Sequence, residues 1–327
     1  MRTMNGSTNE TADTEACIFE LSFRIPISIL FVATFLLSLS ENVLVTIVIS
    51  IDKKLRRPSN GYLLSLALTD ISISIGLIPL EMTYVWSYPK WPLGSTGTHF
   101  LNSVWLFSIA GSFITLLVIT VDRYRAVMSV VRYRDIASWR RTFVIVGLVW
   151  IYVVTIVVLM GLFAFEPITE ETYEWNVNFK FYYAFLAMHI VLPLLLISAF
   201  YYKIYKKAVE NRQQLLSRGQ VHPGTATSSD TVTETRLEVK MAKTVAFVFM
   251  FLVIVWMPVL ILEIFYAIGS QSCVVGQLGV VSVWLTCSNG VINPIVYSLR
   301  NKDFHRSMLQ LIRCKRPRSA SAYRLPH

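Results

Sequence analysis

Seven apolar runs, each about 20 residues or longer, constrain this chain more than anything else in it, because each is long enough to cross the roughly 30 Å hydrocarbon core of a bilayer. They lie near residues 21–51, 60–86, 98–121, 142–165, 179–202, 245–268 and 278–299. A bilayer offers no water to peptide groups, so a spanning segment must satisfy its own backbone. The runs lack the two-residue alternation of a barrel strand and are expected to be helices. Pro79, Pro193, Pro258 and Pro294 fall inside them and mark kink sites, tolerated where neighbouring helices or polar side chains take up the freed carbonyls. Composition agrees: 54% of residues are hydrophobic and 15% charged, against roughly 25% charged in soluble domains. The expected fold is all-α, a seven-transmembrane helix bundle over residues 23–299, with a polar tail at 1–22 and, at 300–327, a short amphipathic helix and a cytoplasmic tail.

The basic residues orient the bundle. With loops assigned alternately, one side holds Lys53, Lys54, Arg56 and Arg57, six Arg from 123 to 141, eight Lys or Arg from 203 to 243 and eight from 300 to 324. The other keeps only Arg2, Arg24, Lys90 and Lys180. The positive-inside rule then puts the N-terminus outside and the C-terminus in the cytoplasm, as expected of a multi-pass plasma-membrane protein. The formal charge of +10 follows from this topology; a nucleic-acid surface needs its basic groups on one folded face, and no nucleic-acid partner is expected. Asn5-Gly6-Ser7 and Asn9-Glu10-Thr11 are sequons in the outer tail, making Asn5 and Asn9 candidate glycosylation sites. Residues 210–235, with Pro223-Gly224 and repeated Ser and Thr, have no apolar periodicity and read as a loop. No internal repeat of the inverted-transporter kind is visible. Four cysteines, none at zinc-ligand spacing, exclude a disulfide-dense scaffold and give no metal centre.

A charge at mid-membrane costs roughly 2.5–3.5 kcal/mol on insertion scales, so one that is retained needs a reason. Asp70 lies in the second run, with Asn42, Ser112, Asn289 and Asn293 at similar depths in others. Buried polar groups must pair, so one internal cluster is expected, either holding water or a small cation or serving only as hydrogen-bond glue between helices. The third run ends in Asp122-Arg123-Tyr124, and Glu238 opens the approach to the sixth. An Arg and a Glu at two neighbouring helix ends can pair in one arrangement and separate in another.

Together with Asn42, Leu66-Ala67-Leu68-Thr69-Asp70 and Asp122-Arg123-Tyr124, the chain carries Trp150, Pro193 with Tyr201, Trp256-Met257-Pro258, Asn293-Pro294-Ile295-Val296-Tyr297 and Phe304. Their order and spacing resemble those of rhodopsin-like (class A) G-protein-coupled receptors over residues 36–313. The resemblance implies a heterotrimeric G protein as partner, with arrestin and receptor kinases beside it. It also implies that Arg123, between Asp122 and Tyr124, contacts Glu238 at rest and the G protein when active. Asp70, Ser112 and Asn289 would hold a sodium ion as allosteric ligand, while Tyr201, Trp256, Pro258, Asn293, Pro294 and Tyr297 relay a helix 6 movement. No other cofactor is expected: an opsin needs a retinal-binding Lys in the middle of helix 7, where this chain has Cys287.

Within that family, Trp91-Pro92-Leu93-Gly94, Trp284, Ser288-Asn289 and Asn301-Lys302-Asp303-Phe304 look like biogenic-amine receptors. Those receptors hold the ligand ammonium on an Asp at the position that is Trp105 here, so a simple amine in the usual pose is not expected. Most relatives also tie helix 3 to the second extracellular loop through a cysteine; here that position is Thr98, a departure similar to melanocortin-like and lipid-binding receptors. Cys17 and Cys273 either bridge the tail to the loop between helices 6 and 7 or remain two thiols. Cys287 reads as a packing residue, and Cys314, beside Arg313 and Lys315, is the candidate palmitoylation site.

The outer half offers Glu81 and Glu263, with Trp105, Ile109, Phe185, His189, Leu260 and Trp284 as candidate pocket walls and Trp256 beneath them. Loops and tail add Glu10, Asp13, Glu15, Glu20, Glu166, Glu170, Glu171 and Glu174, so ten acids face four bases at this mouth, and a negative mouth attracts cations. The ligand, small molecule or peptide, is expected to carry positive charge held by Glu81 or Glu263 with cation–π support, unless both carboxylates merely meet water at the headgroup boundary. His189 has a competing reading as a satisfied core histidine. No nucleophile, base and orienter occur together, and H-E-x-x-H and G-x-S-x-G are absent, so no enzyme is expected. A membrane transporter and a non-signalling decoy receptor are the alternatives. Clustering of the inner polar groups around Asp70 opposes the first, and retention of Arg123, Glu238 and the 293–297 motif opposes the second.

Overall fold

The computed structural model describes residues 19–88, 90–128, 137–165, 177–217, 250–268, 272–300 and 302–313. Seven helices long and apolar enough to span a membrane run through it. They are α1 (Leu21–Ile51), α2 (Pro58–Ser87), α3 (Gly94–Met128), α4 (Trp139–Phe163) and α5 (Phe179–Leu186, a π turn at Ala187–Val191, then Leu192–Ser217), followed by α6 (Met250–Ala267) and α7 (Cys273–Cys287 continuing as Asn289–Arg300). A shorter α8 (Lys302–Ile312) follows, with Phe304 1% exposed and Ser307 hydrogen-bonded to the Asp52 carboxylate, which ties it to the end of α1. Asn5, Asn9, Cys17, Glu238 and Cys314 lie outside the described residues.

Helix ends differ from the apolar runs where polar capping extends a helix beyond its apolar stretch. α7 begins at Cys273, five residues before the run at 278, because the Ser272 side chain accepts from Val275 N–H and caps it. α4 likewise begins at Trp139, its first turn capped by Ser138 accepting from Arg141 N–H. α3 starts at Gly94, whose φ of 59° only glycine adopts without strain, and the Trp91 indole N–H closes that turn on Gly94 O at 3.0 Å. In α5, Pro193 has no N–H to donate. The ladder widens just before it, where Leu192 N–H reaches back five residues to Ala187 O.

In a bilayer, burial reports packing between helices and not escape from solvent. The central stretch of α3 is 67% buried and that of α4 17%, so α3 is the axis of the bundle, packed on α2, α4 and α5, while α4 presents Phe143, Leu148, Ile151 and Leu162 to lipid. Close approach rests on small residues. A β-carbon on Gly290 of α7 would sit 2.5 Å from Ser38 Oγ, and one on Gly111 of α3 would sit 2.8 Å from Thr69 Cγ2.

Candidate functional site

The inner polar cluster forms where α1, α2, α3 and α7 converge. Asn293 Nδ2 donates to Asp70 Oδ2 at 3.0 Å, Ser74 Oγ lies 2.9 Å from Ser38 Oγ, and Asn42 Nδ2 donates to Ser38 O and to Gly290 O, both at 2.8 Å. Asp70 is 2% exposed. Beside it a cavity with about 10 Å³ of room for the centre of a water-sized sphere is lined by Asp70, Ser112 and Asn289 together with Ser38, Ser108 and Trp256. That is space for about one water or small ion. Asn289 Oδ1 and Asn293 Oδ1 are buried without a hydrogen-bond partner. Oxygens from a carboxylate, a hydroxyl and an amide are the donor set a hard cation takes. The three residues expected to hold sodium therefore share one cavity wall. Among the described residues no group of three His, Cys, Asp or Glu is arranged for another metal.

Toward the C-terminal ends of α3 and α5 the switch residues gather. Arg123 pairs with Asp122 at 3.2 Å; Glu238, its expected partner, lies outside the described residues. Tyr201 lies near Thr120 and within electrostatic reach of Arg123, as does Tyr297, 9% exposed. Tyr124 packs on Phe200 with ring centroids 5.0 Å apart. Pro258 and Pro294 each lie inside the helix expected to bend.

The outer half is built on rings. Tyr182 Oη donates to Glu263 Oε1 at 2.8 Å, the Trp105 indole N–H reaches Tyr182 Oη at 3.5 Å, and the Trp105 ring centroid lies 5.7 Å from that of Trp256, itself 5.2 Å from Phe113. Trp105 is 5% and Ile109 0% exposed, and Leu260 is half-buried. Glu81, one turn outward from Leu77 of the Asp70 cavity, is 8% exposed and makes no hydrogen bond among the described residues. Among the described residues no Lys or Arg pairs with Glu81 or Glu263. Arg24 of α1 donates instead to Trp86 O at 3.1 Å and Tyr88 O at 3.2 Å.

Not every predicted wall residue faces this chain of contacts. Both ring nitrogens of His189 are engaged, Nε2 with Tyr152 Oη at 2.8 Å and Nδ1 with Phe185 O at 2.9 Å, and the Phe185 ring stacks on it at 4.1 Å. This is the satisfied core arrangement. Trp284 turns toward α1, donating to Thr34 Oγ1 at 2.9 Å.

Sequence reasoning missed Ser38, Ser74 and Tyr182. Ser38 is four residues before Asn42 and Ser74 four after Asp70, the i,i+4 spacing that puts side chains on one helix face. Tyr182 stands seven before His189 on an aromatic stretch and carried no separate signal. Asn102, one turn outward from Trp105, was missed too. It is 1% exposed, and both its amide atoms lack partners.

Residues 41–297 match the 7 transmembrane receptor (rhodopsin family). The chain belongs to that family: it is a G-protein-coupled receptor, a multi-pass membrane protein of a receptor family and not of an enzyme family. Among its relatives is the Histamine H2 receptor of Canis lupus familiaris, 26% identical over 94% of this chain and 84% of the relative. The Histamine H2 receptors of Rattus norvegicus and Homo sapiens are each 24% identical over 91% of this chain and 82% of their own length. The biogenic-amine style of the motifs agrees with these relatives.

Proposed function

We propose that this receptor is activated by a small organic cation, bound in the outer half of the bundle between Glu81 and Glu263. The observation that carries the reading is the continuous path Glu263–Tyr182–Trp105–Trp256, which joins a carboxylate with no cationic partner among the described residues to a Trp in α6. A buried carboxylate is stabilised by an arriving positive charge, and the orphaned Asn102 amide, one turn outward from Trp105, offers a polar anchor. The relatives' name, with its small amine, supports the same ligand class. Trp105 in place of an Asp moves the charge contact to the neighbouring helices.

Ligand contact shifts the population toward a bundle in which α6 swings about Pro258, Arg123 leaves Glu238 and a crevice opens for the G protein; arrestin and receptor kinases follow at the same face. Sodium on Asp70, Ser112 and Asn289 holds the resting arrangement, so Asp70→Asn is expected to abolish any sodium dependence of agonist affinity. The N-terminus lies outside, glycosylated on Asn5 and Asn9, and Cys314 is palmitoylated. A Cys17–Cys273 bridge is supported by the Phe19 ring, which lies within 4 Å of a β-carbon built on Gly276 and so brings the chain near Cys17 to the first turn of α7.

The test is a second-messenger screen of small amines on cells expressing the receptor, repeated with Glu81→Gln and Glu263→Gln. A hit whose potency falls at least tenfold, on the order of 1.4 kcal/mol, in one variant supports the reading. A hit of unchanged potency in both retires it.

A further inference from the structure

A second cavity, of about 590 Å³, opens between the ends of α2, α3 and α4 on the basic side of the bundle, within the roughly 300–1,000 Å³ range of ligand sites. It is remote from both the Asp70 cluster and the outer carboxylates. Tyr62, 5% exposed, lines it beside Thr142, whose hydroxyl is within 3.2 Å of both Pro58 O and Ser138 O. Arg125 and Arg141 line it together with Tyr62, so two guanidinium groups share this one cavity. Among the described residues neither makes an ion pair. Asp122 also lines the cavity, its charge offset by Arg123 at 3.2 Å.

Two long helices start at this cavity, α2 at Pro58 and α4 just after Ser138, and both of those residues line it. Their N-terminal dipole ends add to the positive potential of the two arginines. The remaining wall is apolar, with Val118, Val121 and Ile145 running toward the bilayer centre. An anion-binding floor continuous with an apolar wall, at the level where headgroups meet acyl chains, fits one chemistry. We propose that this cavity binds a phospholipid of the adjacent leaflet, its phosphate held by Arg125 and Arg141 over Tyr62 and an acyl chain lying along Val118, Val121 and Ile145.

The experiment uses the full chain in detergent, titrated with phosphatidate or with phosphatidylcholine of the same acyl chains and read by native mass spectrometry as lipid-bound fraction. Phosphatidate is expected to bind the wild type in preference to phosphatidylcholine. Arg125→Gln with Arg141→Gln lowers phosphatidate affinity about tenfold or more, since each basic group near a membrane surface contributes about fivefold. Arg140→Gln, an exposed neighbour outside the cavity, changes it by no more than about fivefold. Ile145→Trp, which fills the apolar wall and spares both arginines, also weakens binding and keeps the test open should the double variant fold poorly. Equal losses in the double variant and the Arg140→Gln control overturn the site, and so does unchanged binding in Ile145→Trp. Displacement of phosphatidate by glycerol phosphate at equal concentration overturns the lipid as occupant and leaves a free-phosphate site.

Discussion

The inner and outer halves of this bundle solve the problem of a buried carboxylate in opposite ways. Asp70 is met by an amide donor at 3.0 Å and sits in a lattice of Ser38, Asn42 and Ser74 contacts, closed by a helix approach that only glycine at 290 permits. Among the described residues Glu81 has no hydrogen bond, and Glu263 has one phenol donor that hands on to a pair of indole rings. Several short contacts from three helices define one geometry, whereas a carboxylate with few contacts and a stack of rings leave room for two. On the proposed function the inner cluster is the fixed bearing of the receptor and the outer one its adjustable input.

The largest effect expected from breaking this contrast is at Trp105, the ring joining the two halves. Trp105→Ala removes a buried indole from both Tyr182 and Trp256 and is expected to lower stability by about 3–5 kcal/mol. The readout is thermal unfolding of the purified full chain, followed by a dye that reacts with the buried Cys287 thiol as it becomes exposed. A drop below about 1 kcal/mol, the range of a surface substitution, means that the rings do not couple the halves.

A matched glycine pair on α7 comes next. Gly290→Val forces a methyl into Ser38 and the Asp70 stem and is expected to destabilise by about 1–3 kcal/mol. Gly276→Ala, at the outer end, makes ordinary 3.7 Å contact with Phe19 and is expected to stay within about ±0.5 kcal/mol. Equal melting shifts for the two variants erase the distinction between a tight inner and a loose outer bundle.

The difference between halves also explains what could be read from the chain. Helix number and the Asp70–Ser112–Asn289 grouping were legible because a bilayer penalises every unpaired polar group, so each retained one announces itself. The outer contacts were less so. Ile109 and Glu263 were identified by depth alone, and Trp105 by its position in the resemblance; neither says which way a side chain turns. Trp284 faces Thr34, and His189 is spent on Tyr152 and Phe185, outcomes decided by rotamers and by the π turn ahead of Pro193. Tyr182 escaped notice because an aromatic residue near a membrane interface needs no special explanation.

A smaller effect is expected at that tyrosine. Tyr182→Phe keeps the ring against Trp105 and deletes the hydroxyl that donates to Glu263 and accepts the long 3.5 Å contact from the Trp105 indole N–H, the first a hydrogen bond to a carboxyl group worth about 1.5–3 kcal/mol when the acceptor is charged. With the carboxylate freed, a cationic agonist is expected to gain potency while basal signalling shifts, both read in a second-messenger assay. In a double-mutant cycle with Glu263→Gln the gain disappears. Potency that changes by the same factor in both backgrounds shows that Tyr182 and Glu263 act separately.

The smallest expected effect tests the inner cluster against its description as a redundant lattice. Ser74 Oγ lies 2.9 Å from Ser38 Oγ and 2.8 Å from Asp70 O, but a hydroxyl has one proton and can donate only once at a time. Ser38 Oγ is also within 3.5 Å of Asn42 Nδ2, so Ser74→Ala leaves Ser38 with an alternative contact and leaves Asp70 with Asn293. The loss is therefore expected to be that of a single neutral hydrogen bond, about 0.5–1.5 kcal/mol of stability, with agonist potency unchanged. A loss of several kcal/mol, or a shift in potency, makes Ser74 a link in series like Trp105, and the inner cluster becomes a second relay.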